Sequence, residues 1–451
     1  MKKFGLTLTA AALLIALTSA CSSGKTPDNP ASSGAASSPS AKGEAAPAET
    51  VELTFGFNGG NGPTYDLYKS IFKEYENTHP NVKITPQAIA KDFTSTIMTR
   101  IAGGNAPDVF WMSNQDVPSF ADRNALLDLT PYDGKYFKSE DFLDNVMAGY
   151  KWKDKIYGLP GDAAPIVLFY NKEMFDQAKV EYPKAGMSWD ELLQKAKALT
   201  VRNGDQIVQY GYAQDLSWNF WAPFVWQNNG DILSPDGTKS VIHSPEALEA
   251  FTFIRSLMNE HKVAPTASSM QTTPSYQLFQ QGKAAMYFGG AWVASTILRD
   301  TAFEWDVVAP PAGKTKATSI ALGGFAVSKS TKHAEEAVKF LAWFAGEEGQ
   351  KLKFNGGFAG LPTLKSLIGT PLATKGFEHP TYKNIHLQEI VDATQYARVA
   401  PSSADWTQIN TEMTKLLQLY WNGEQEAEPA LASVDKKINE ILAGKLKEAA
   451  P

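Results

Sequence analysis

The chain has almost no cysteine, and this scarcity excludes two kinds of protein. Only one cysteine, Cys21, occurs in 451 residues. A disulfide-stabilised scaffold and a metal site built from several cysteines are therefore excluded. Basic residues show no excess either, since 42 Lys and Arg face 48 Asp and Glu. These totals argue against a nucleic-acid-binding protein, which usually carries a basic surface.

Motifs for enzyme chemistry are also missing. The sequence contains no G-x-S-x-G nucleophile elbow, no complete phosphate-binding loop and no H-E-x-x-H zinc motif. The glycine-rich loop at 59–62 fails the dinucleotide-binding spacing, because Tyr65 stands where the last glycine belongs. No calcium-binding D-x-[DN]-x-[DN]-G loop is present. We therefore predict no catalytic residues, no cofactor and no metal site.

The first fifty residues predict a signal and a tether. A charged start, an uncharged apolar run over 4–17 and three small residues form the layout of a secretory signal. This stretch resembles a bacterial lipoprotein signal, which implies a signal peptide at 1–20 and lipid attached to Cys21. Residues 21–50 include 21 Ser, Ala, Pro or Gly, and a flexible coil of that length reaches roughly 30 Å. We expect a lipid-anchored protein on the extracellular face of the cell membrane.

From residue 51 onward, patterns for strands and helices alternate. A strand pattern over 51–57 leads into a glycine-rich loop, and Pro63 suits the first turn of a helix. Five apolar residues at 166–170 predict a strand covered on both faces. Ser188-Trp189-Asp190-Glu191 is a capping box that opens a further helix. The alternation predicts an α/β fold with parallel, layered sheets, and the chain from 407 onward is expected to be helical.

Tryptophan is the one informative excess, with 11 copies. Trp218, Trp221 and Trp226 have the spacing of one buried helix face, so core packing is one interpretation of them. Trp111, Trp292 and Trp406 instead lie where predicted elements begin or end. In an open α/β sheet those places are exposed to a ligand.

A tryptophan site with polar neighbours fits a sugar. The indole face packs well on the C–H face of a sugar ring. Side chains able to hydrogen-bond the hydroxyl groups lie close in sequence to the same elements. They are Asn58, Asp116, Asp162 and Asp215.

Several motifs occur in order along the body of the chain. They are Gly104-Asn105-Ala106-Pro107-Asp108-Val109-Phe110, Tyr157-Gly158-Leu159-Pro160, Phe169-Tyr170-Asn171-Lys172-Glu173-Met174-Phe175, Ser188-Trp189-Asp190-Glu191-Leu192, Phe279-Gln280-Gln281-Gly282-Lys283-Ala284-Ala285-Met286, Gly290-Ala291-Trp292 and Gly323-Gly324-Phe325-Ala326-Val327-Ser328-Lys329. In this order they resemble the bacterial extracellular solute-binding proteins of family 1, the type that includes maltose-binding protein. The resemblance covers about residues 51–445 and marks the fold rather than the ligand.

The resemblance implies a two-lobed, periplasmic-binding-protein-like α/β fold of type II, with discontinuous lobes and a ligand cleft between them. On that pattern one lobe holds 51–160 and 304–355, and the other holds 165–300 and 365–451. The family's ligand contacts carry over to the loop after the first strand, to the segment 111–116, and to an aromatic or acidic residue at several later positions. The implied ligand-binding residues are Asn58, Trp111, Asp116, Asp162, Asp215, Trp218, Trp292 and Trp406.

We therefore expect a monomeric receptor of an ABC importer that captures a mono- or oligosaccharide and delivers it to a membrane permease. The ligand would stabilise the closed state of the two lobes, and no bond would be made or broken. Two alternatives stay open from the sequence. The same fold could bind a non-sugar solute such as a polyamine or a phosphorylated compound, or the chain could be a surface enzyme acting on polysaccharide.

Overall fold

The computed structural model describes residues 50–296, 298–401 and 403–448. Cys21, with the predicted signal peptide and all of the predicted tether except Thr50, lies outside these residues. The described chain folds into a nine-stranded sheet, two separate two-stranded sheets, and helices that pack against the large sheet. None of the helices in the described ranges combines the length and the apolar character that a bilayer span requires.

Thirteen strands are present in the described residues. They are β1 (Val51–Asn58), β2 (Val82–Ile89), β3 (Val109–Ser113), β4 (Lys151–Trp152), β5 (Lys155–Ile156), β6 (Leu159–Asn171), β7 (Val201–Asn203), β8 (Gln206–Gln209), β9 (Ala213–Gln214), β10 (Met286–Gly290), β11 (Trp305–Val308), β12 (Thr318–Val327) and β13 (Ala397–Arg398).

The same part of the chain forms eighteen α-helices. They are α1 (Pro63–Thr78), α2 (Phe93–Ala102), α3 (Val117–Asp122), α4 (Asp144–Ala148), α5 (Lys172–Ala178), α6 (Trp189–Leu199), α7 (Trp218–Gln227), α8 (Pro245–Asn259), α9 (Ala267–Thr272), α10 (Ser275–Gln280), α11 (Val293–Thr296), α12 (Ala334–Ala345), α13 (Glu347–Asn355), α14 (Lys365–Ile368), α15 (Leu372–Lys375), α16 (Gln388–Ala393), α17 (Trp406–Trp421) and α18 (Ala427–Glu448).

The large sheet has the order β2-β1-β3-β12-β6-β10-β9, with β11 added to β6 and β13 added to β12. The α/β class is confirmed, but the prediction of purely parallel sheets is wrong. β1 runs parallel to β2 and β3, and β9 runs parallel to β10, whereas β12, β10 and β11 all pair antiparallel with β6. The sheet is therefore mixed, since three of its strands run opposite to β6.

Two long strands connect the two ends of the sheet. The first half of β6 pairs with β12, and its second half, from Ile166 to Asn171, pairs with β10 and β11. β12 in turn pairs with β3 through Gly323–Val327. β6 and β12 are therefore the crossing strands, and side chains from both ends of the sheet meet along them.

Buried apolar side chains form two clusters on opposite faces of β6. The first includes Phe55, Phe72 and Phe344, whose rings make edge contacts at 4.9 and 5.4 Å. The second includes Phe251 stacked on Trp421 at 5.3 Å. From Ile166 to Tyr170, alternate residues of β6 enter the two clusters, as a pleated strand requires. The prediction that 166–170 is covered on both faces is thereby confirmed.

Local sequence signals place several helices correctly. α1 begins at Pro63, where the missing N–H of proline costs nothing because the first helical N–H groups have no partner within the helix. The capping box before α6 is formed in full: Ser188 Oγ accepts from the Glu191 N–H, and the Glu191 carboxylate accepts from the Ser188 N–H. Such a cap contributes about 1 kcal/mol to helix stability.

Candidate functional site

A bulge in β6 gives Asp162 its place among the crossing strands. Gly323 pairs with Asp162 and Gly324 pairs with Pro160, so Gly161 has no partner in β12 and the register shifts. A bulge of this kind bends the strand and redirects its side chains. A β-carbon on Gly161 would lie 2.4 Å from the Phe325 ring, so only glycine fits at the bulge.

Trp111 Nε1 and the Asp162 carboxylate both lie close to Gly323. A β-carbon built on Gly323 would lie 2.7 and 2.8 Å from the two carboxylate oxygens and 2.9 Å from Trp111 Nε1. Trp111 reaches this place from β3, is half-buried, and has the Phe93 ring edge-on at 5.4 Å. The bare glycine thus lets a ring and a carboxylate from two strands come together.

The environment of Asp162 is nearly dry. Its side chain is 14 % exposed, and burial raises the pKa of the carboxyl to about 6, although the nearby Lys353 ammonium opposes that rise. Oδ2 is buried without a hydrogen-bond partner among the described residues. A carboxylate with an unused acceptor is suited to bind a donor that arrives with a ligand.

A cavity of about 530 Å³ lies beside Trp111. This volume is within the usual range for small-molecule sites. Asn58, at the exposed end of β1, lines the cavity together with Trp111. The other lining residues are Pro63, Thr64, Leu67, Tyr68, Arg299, Gly356, Gly357, Phe358 and Ala359. Two of the predicted residues thus share one cavity, and a third, Asp162, lies beside Gly323 together with Trp111.

Trp292 lies on the other side of the crossing strands. It follows β10, and its ring folds back over Gly290, where a β-carbon would lie 2.0 Å from the ring atoms. The preceding Ala291 N–H donates to the Pro165 carbonyl at 2.9 Å, three residues along β6 from Asp162. The half-buried ring packs against both apolar clusters. Trp292 is thus tied to the same crossing strand that carries Asp162.

Asp215 is held at the end of β9. Its carboxylate accepts from the Ser275 N–H at 3.3 Å and from the Tyr287 hydroxyl at 3.5 Å. Burial raises the pKa of Asp215, and these hydrogen bonds oppose that rise. Both bonds are long, so the carboxylate keeps acceptor capacity for a ligand.

Trp218 and Trp406 contact each other instead of lining the 530 Å³ cavity. Their rings meet edge-on at 5.3 Å, and they are 5 % and 1 % exposed. Trp406 Nε1 donates to Gln115 Oε1 at 3.1 Å, which links α17 to the segment after β3. In this conformation both tryptophans serve as packing.

Asp116 makes a second link to α17. The carboxylate accepts from Thr94 Oγ1 at 2.9 Å and from Thr407 Oγ1 at 3.3 Å. Burial raises the pKa of Asp116, and the two hydroxyl groups oppose the rise. Asp116 also lines a cavity of about 730 Å³ between α2, α3 and α17. It therefore lies where the two ends of the fold meet, but on a different cavity from Trp111.

The largest of the cavities described here, about 770 Å³, is lined by none of the eight predicted residues. It lies between the β4–β5 hairpin and the loop after α7. Arg398 there pairs with Asp231 and stacks on Trp226, whose Nε1 also donates to Asp231. Because these polar groups satisfy one another, we place the candidate site at the smaller cavity beside Trp111.

The sequence reasoning missed four residues of this region. They are Tyr68, Arg299, Lys353 and Phe358. Arg299 and Lys353 look like ordinary surface cations in sequence, so no local signal distinguishes them. Phe358 follows Gly356-Gly357. A glycine pair often marks a turn or a place where the backbone packs closely on a neighbour, and this was the one sequence signal that could have indicated Phe358.

Comparison with known proteins agrees with this architecture. The family model described as bacterial extracellular solute-binding protein matches residues 59–351. An ABC substrate-binding protein from Listeria monocytogenes, solved in complex with cycloalternan, superposes with a TM-score of 0.79 at 28 % identity, covering 88 % of this chain and 100 % of that one.

Two relatives extend the comparison in sequence. A binding protein of Brucella abortus is 24 % identical over 398 residues, which are 86 % of this chain and 91 % of the relative. The arabinooligosaccharide-binding protein of Bacillus subtilis is 26 % identical over 326 residues, 67 % of this chain and 71 % of the relative. The similarity therefore extends through most of the described body.

Proposed function

This chain belongs to the bacterial extracellular solute-binding protein family, and we propose that it captures a carbohydrate and delivers it to an ABC permease. The observation that carries the proposal is the placement of Trp111 and Asp162 close to Gly323, beside a cavity of about 530 Å³. A sugar ring presents a C–H face to an indole and hydroxyl groups to a carboxylate, and this pair of side chains matches both.

The relatives support the carbohydrate class over the other solutes. One relative is named for arabinooligosaccharides, and one solved structure at 28 % identity holds cycloalternan. A phosphorylated compound would favour several cations, but Arg299 is the one charged side chain among the described lining residues of the cavity. A polyamine would favour several carboxylates, and none lines the cavity directly.

Ligand binding would act by closing two lobes. We place the lobes at 51–160 plus 304–355 and at 165–300 plus 365–451. One refinement comes from β11, which pairs with Leu168–Asn171 of β6, a segment of the second lobe. β11 therefore belongs to the second lobe, and the 304–355 segment of the first lobe begins after Val308. A saccharide that contacts both lobes stabilises the closed state, and the permease recognises that state without any bond being made or broken.

We also propose that the protein is anchored to the membrane by lipid. Lipid on Cys21 and a flexible tether at 21–50 would hold a monomeric receptor at the extracellular face of the membrane, close to its permease. A single chain of lipid binds membranes weakly, so a lipoprotein with more than one acyl chain fits stable anchoring best. Mass spectrometry of the mature protein checks both the cleavage after residue 20 and the lipid.

Calorimetry against a panel of small molecules tests the proposed function. The panel contains maltotriose, an arabino-oligosaccharide and cycloalternan, with spermidine and glucose 6-phosphate as the competing classes. We expect a saccharide to bind and Trp111→Ala to weaken it about tenfold or more, since a buried aromatic contact contributes more than about 1 kcal/mol to binding. Trp343→Ala is the matched control, because this half-buried indole bonds Glu348 away from the cavity. Tight binding of spermidine or the sugar phosphate, with no saccharide bound, would overturn the proposal.

A further inference from the structure

A buried lysine faces Asp162 from α13. Lys353 Nζ lies 3.9 Å from Asp162 Oδ2, and the lysine side chain is 1 % exposed. The same ammonium donates a hydrogen bond to the carbonyl of Gly161, the bulge residue next to Asp162. The lysine therefore holds both the carboxylate and the bulge that carries it.

The surroundings of Lys353 are otherwise apolar. Its ammonium lies 4.8 Å from the centres of the Phe354 and Phe358 rings, 5.7 Å from Phe325 and 6.0 Å from Phe344. Burial lowers the pKa of the lysine to about 8, and the Asp162 charge opposes that change. The ring faces offset part of the loss of water. A charge kept at such a place needs a partner, and Asp162 is that partner.

Two other titratable groups face Asp162, and both are neutral at physiological pH. Tyr68 of α1 and Tyr150, two residues after α4, are buried, and burial together with the Asp162 charge raises the pKa of each hydroxyl well above its usual range. Lys353 is therefore the one cation that acts on the carboxylate among the described residues. The backbone also holds Lys353 close to Asp162. Leu361 and Ala163 exchange two backbone hydrogen bonds, at 2.8 and 3.1 Å, which fix the segment after α13 against β6.

We propose that Lys353 is a positioning residue, which keeps the Asp162 carboxylate ionised and fixed beside Trp111 so that it accepts a hydrogen bond from a saccharide hydroxyl. This inference rests on the proposed function. An ionised carboxylate accepts hydrogen bonds about twice as strong as those of a neutral acceptor. A carboxyl group this well buried would otherwise take up a proton and lose that strength. A residue that only filled space would not alter the protonation of Asp162.

The pH dependence of saccharide binding tests the role. Because the pKa of Asp162 is about 6, wild-type affinity should stay constant above pH 7 and weaken below pH 6, by at most about tenfold per pH unit. Lys353→Met removes the cation and raises the pKa of Asp162 further. We expect affinity in this variant to be about tenfold weaker at pH 7 and to recover at higher pH. Asp162→Asn should bind weakly at every pH.

A measurement without ligand separates this inference from the proposed function. Carbon-13 NMR of labelled aspartate carboxyl groups, assigned with Asp162→Asn, follows the titration of Asp162 in the full chain. A higher titration midpoint in Lys353→Met supports the inference even if no saccharide binds, and an unchanged midpoint overturns it. If Lys353→Met does not fold, Asp162→Asn/Lys353→Met replaces it. A folded double variant supports the charge pairing, because removing both charges leaves no unpaired buried carboxylate, and an unfolded one overturns the inference.

Discussion

Gly323→Ala tests the placement of Trp111 and Asp162 most directly. The new methyl group would lie 2.7–2.9 Å from the carboxylate oxygens and the indole nitrogen, where ordinary contact begins at 3.4 Å. Both side chains must therefore shift, the carboxylate by about 0.7 Å and the indole nitrogen by about 0.5 Å, since packed interiors leave no room for a new atom.

Trp111 has room to shift, since it is half-buried and borders the cavity. Overpacking costs about 1–3 kcal/mol of unfolding free energy. An alanine in extended backbone regains about 0.4–1 kcal/mol by restricting the unfolded chain. We expect a net loss of about 1–2 kcal/mol in stability, together with roughly tenfold weaker saccharide binding, because binding groups must be held within about 0.5 Å.

Urea unfolding and calorimetry on the same preparations measure both effects. Gly369→Ala is the matched control, because no atom lies within 4 Å of its β-carbon position and its φ of −90° suits any residue. The control should keep wild-type affinity. Wild-type affinity and stability in Gly323→Ala would refute the reasoning, since the two side chains could then not converge above this glycine.

Two further predictions concern other parts of the chain. Gln115→Ala removes the acceptor of Trp406 Nε1, which joins α17 to the segment after β3. If this hydrogen bond forms when the lobes close, its loss should weaken ligand affinity about fivefold, since one hydrogen bond is worth about 1 kcal/mol. Calorimetry measures the affinity, and an unchanged value would show that the link does not favour closure. Ser188→Ala removes the side-chain acceptor of the capping box before α6. It should lower the unfolding free energy by about 1 kcal/mol and leave saccharide affinity unchanged, as urea unfolding and calorimetry would show.

Short-range patterns were enough to predict many of the elements. The start of α1 at Pro63 and the capping box at Ser188 depend on residues within one helical turn. The strand at 166–170 was visible because five consecutive apolar residues need cover on both faces. The order of the family motifs along the chain predicted the two-lobed fold, which the structural comparison confirms.

The candidate site was less accessible to sequence reasoning. Trp218 and Trp406 have the same residue type as Trp111, but spacing along a helix cannot tell a ring that packs on another ring from one that borders a cavity. The roles of all eight predicted residues remain predictions until binding is measured. Lys353 could not be assigned at all, since its partner Asp162 lies 191 residues away in the chain and only the folded sheet brings the two together.

The first half of β6 explains why the site was hard to find. Leu159–Pro165 contains two prolines, a glycine and an aspartate, residues that are poor strand formers, so the local preference predicts a loop. The segment becomes a strand because β12 supplies its hydrogen-bond partners, which is a tertiary effect. The same weak strand formers create the bulge at Gly161 and bring Asp162 to Trp111 and Lys353. The segment whose local sequence preference differs most from its observed conformation is therefore the one where we propose that ligand binds. This is expected when a binding site needs a geometry that a regular strand cannot give.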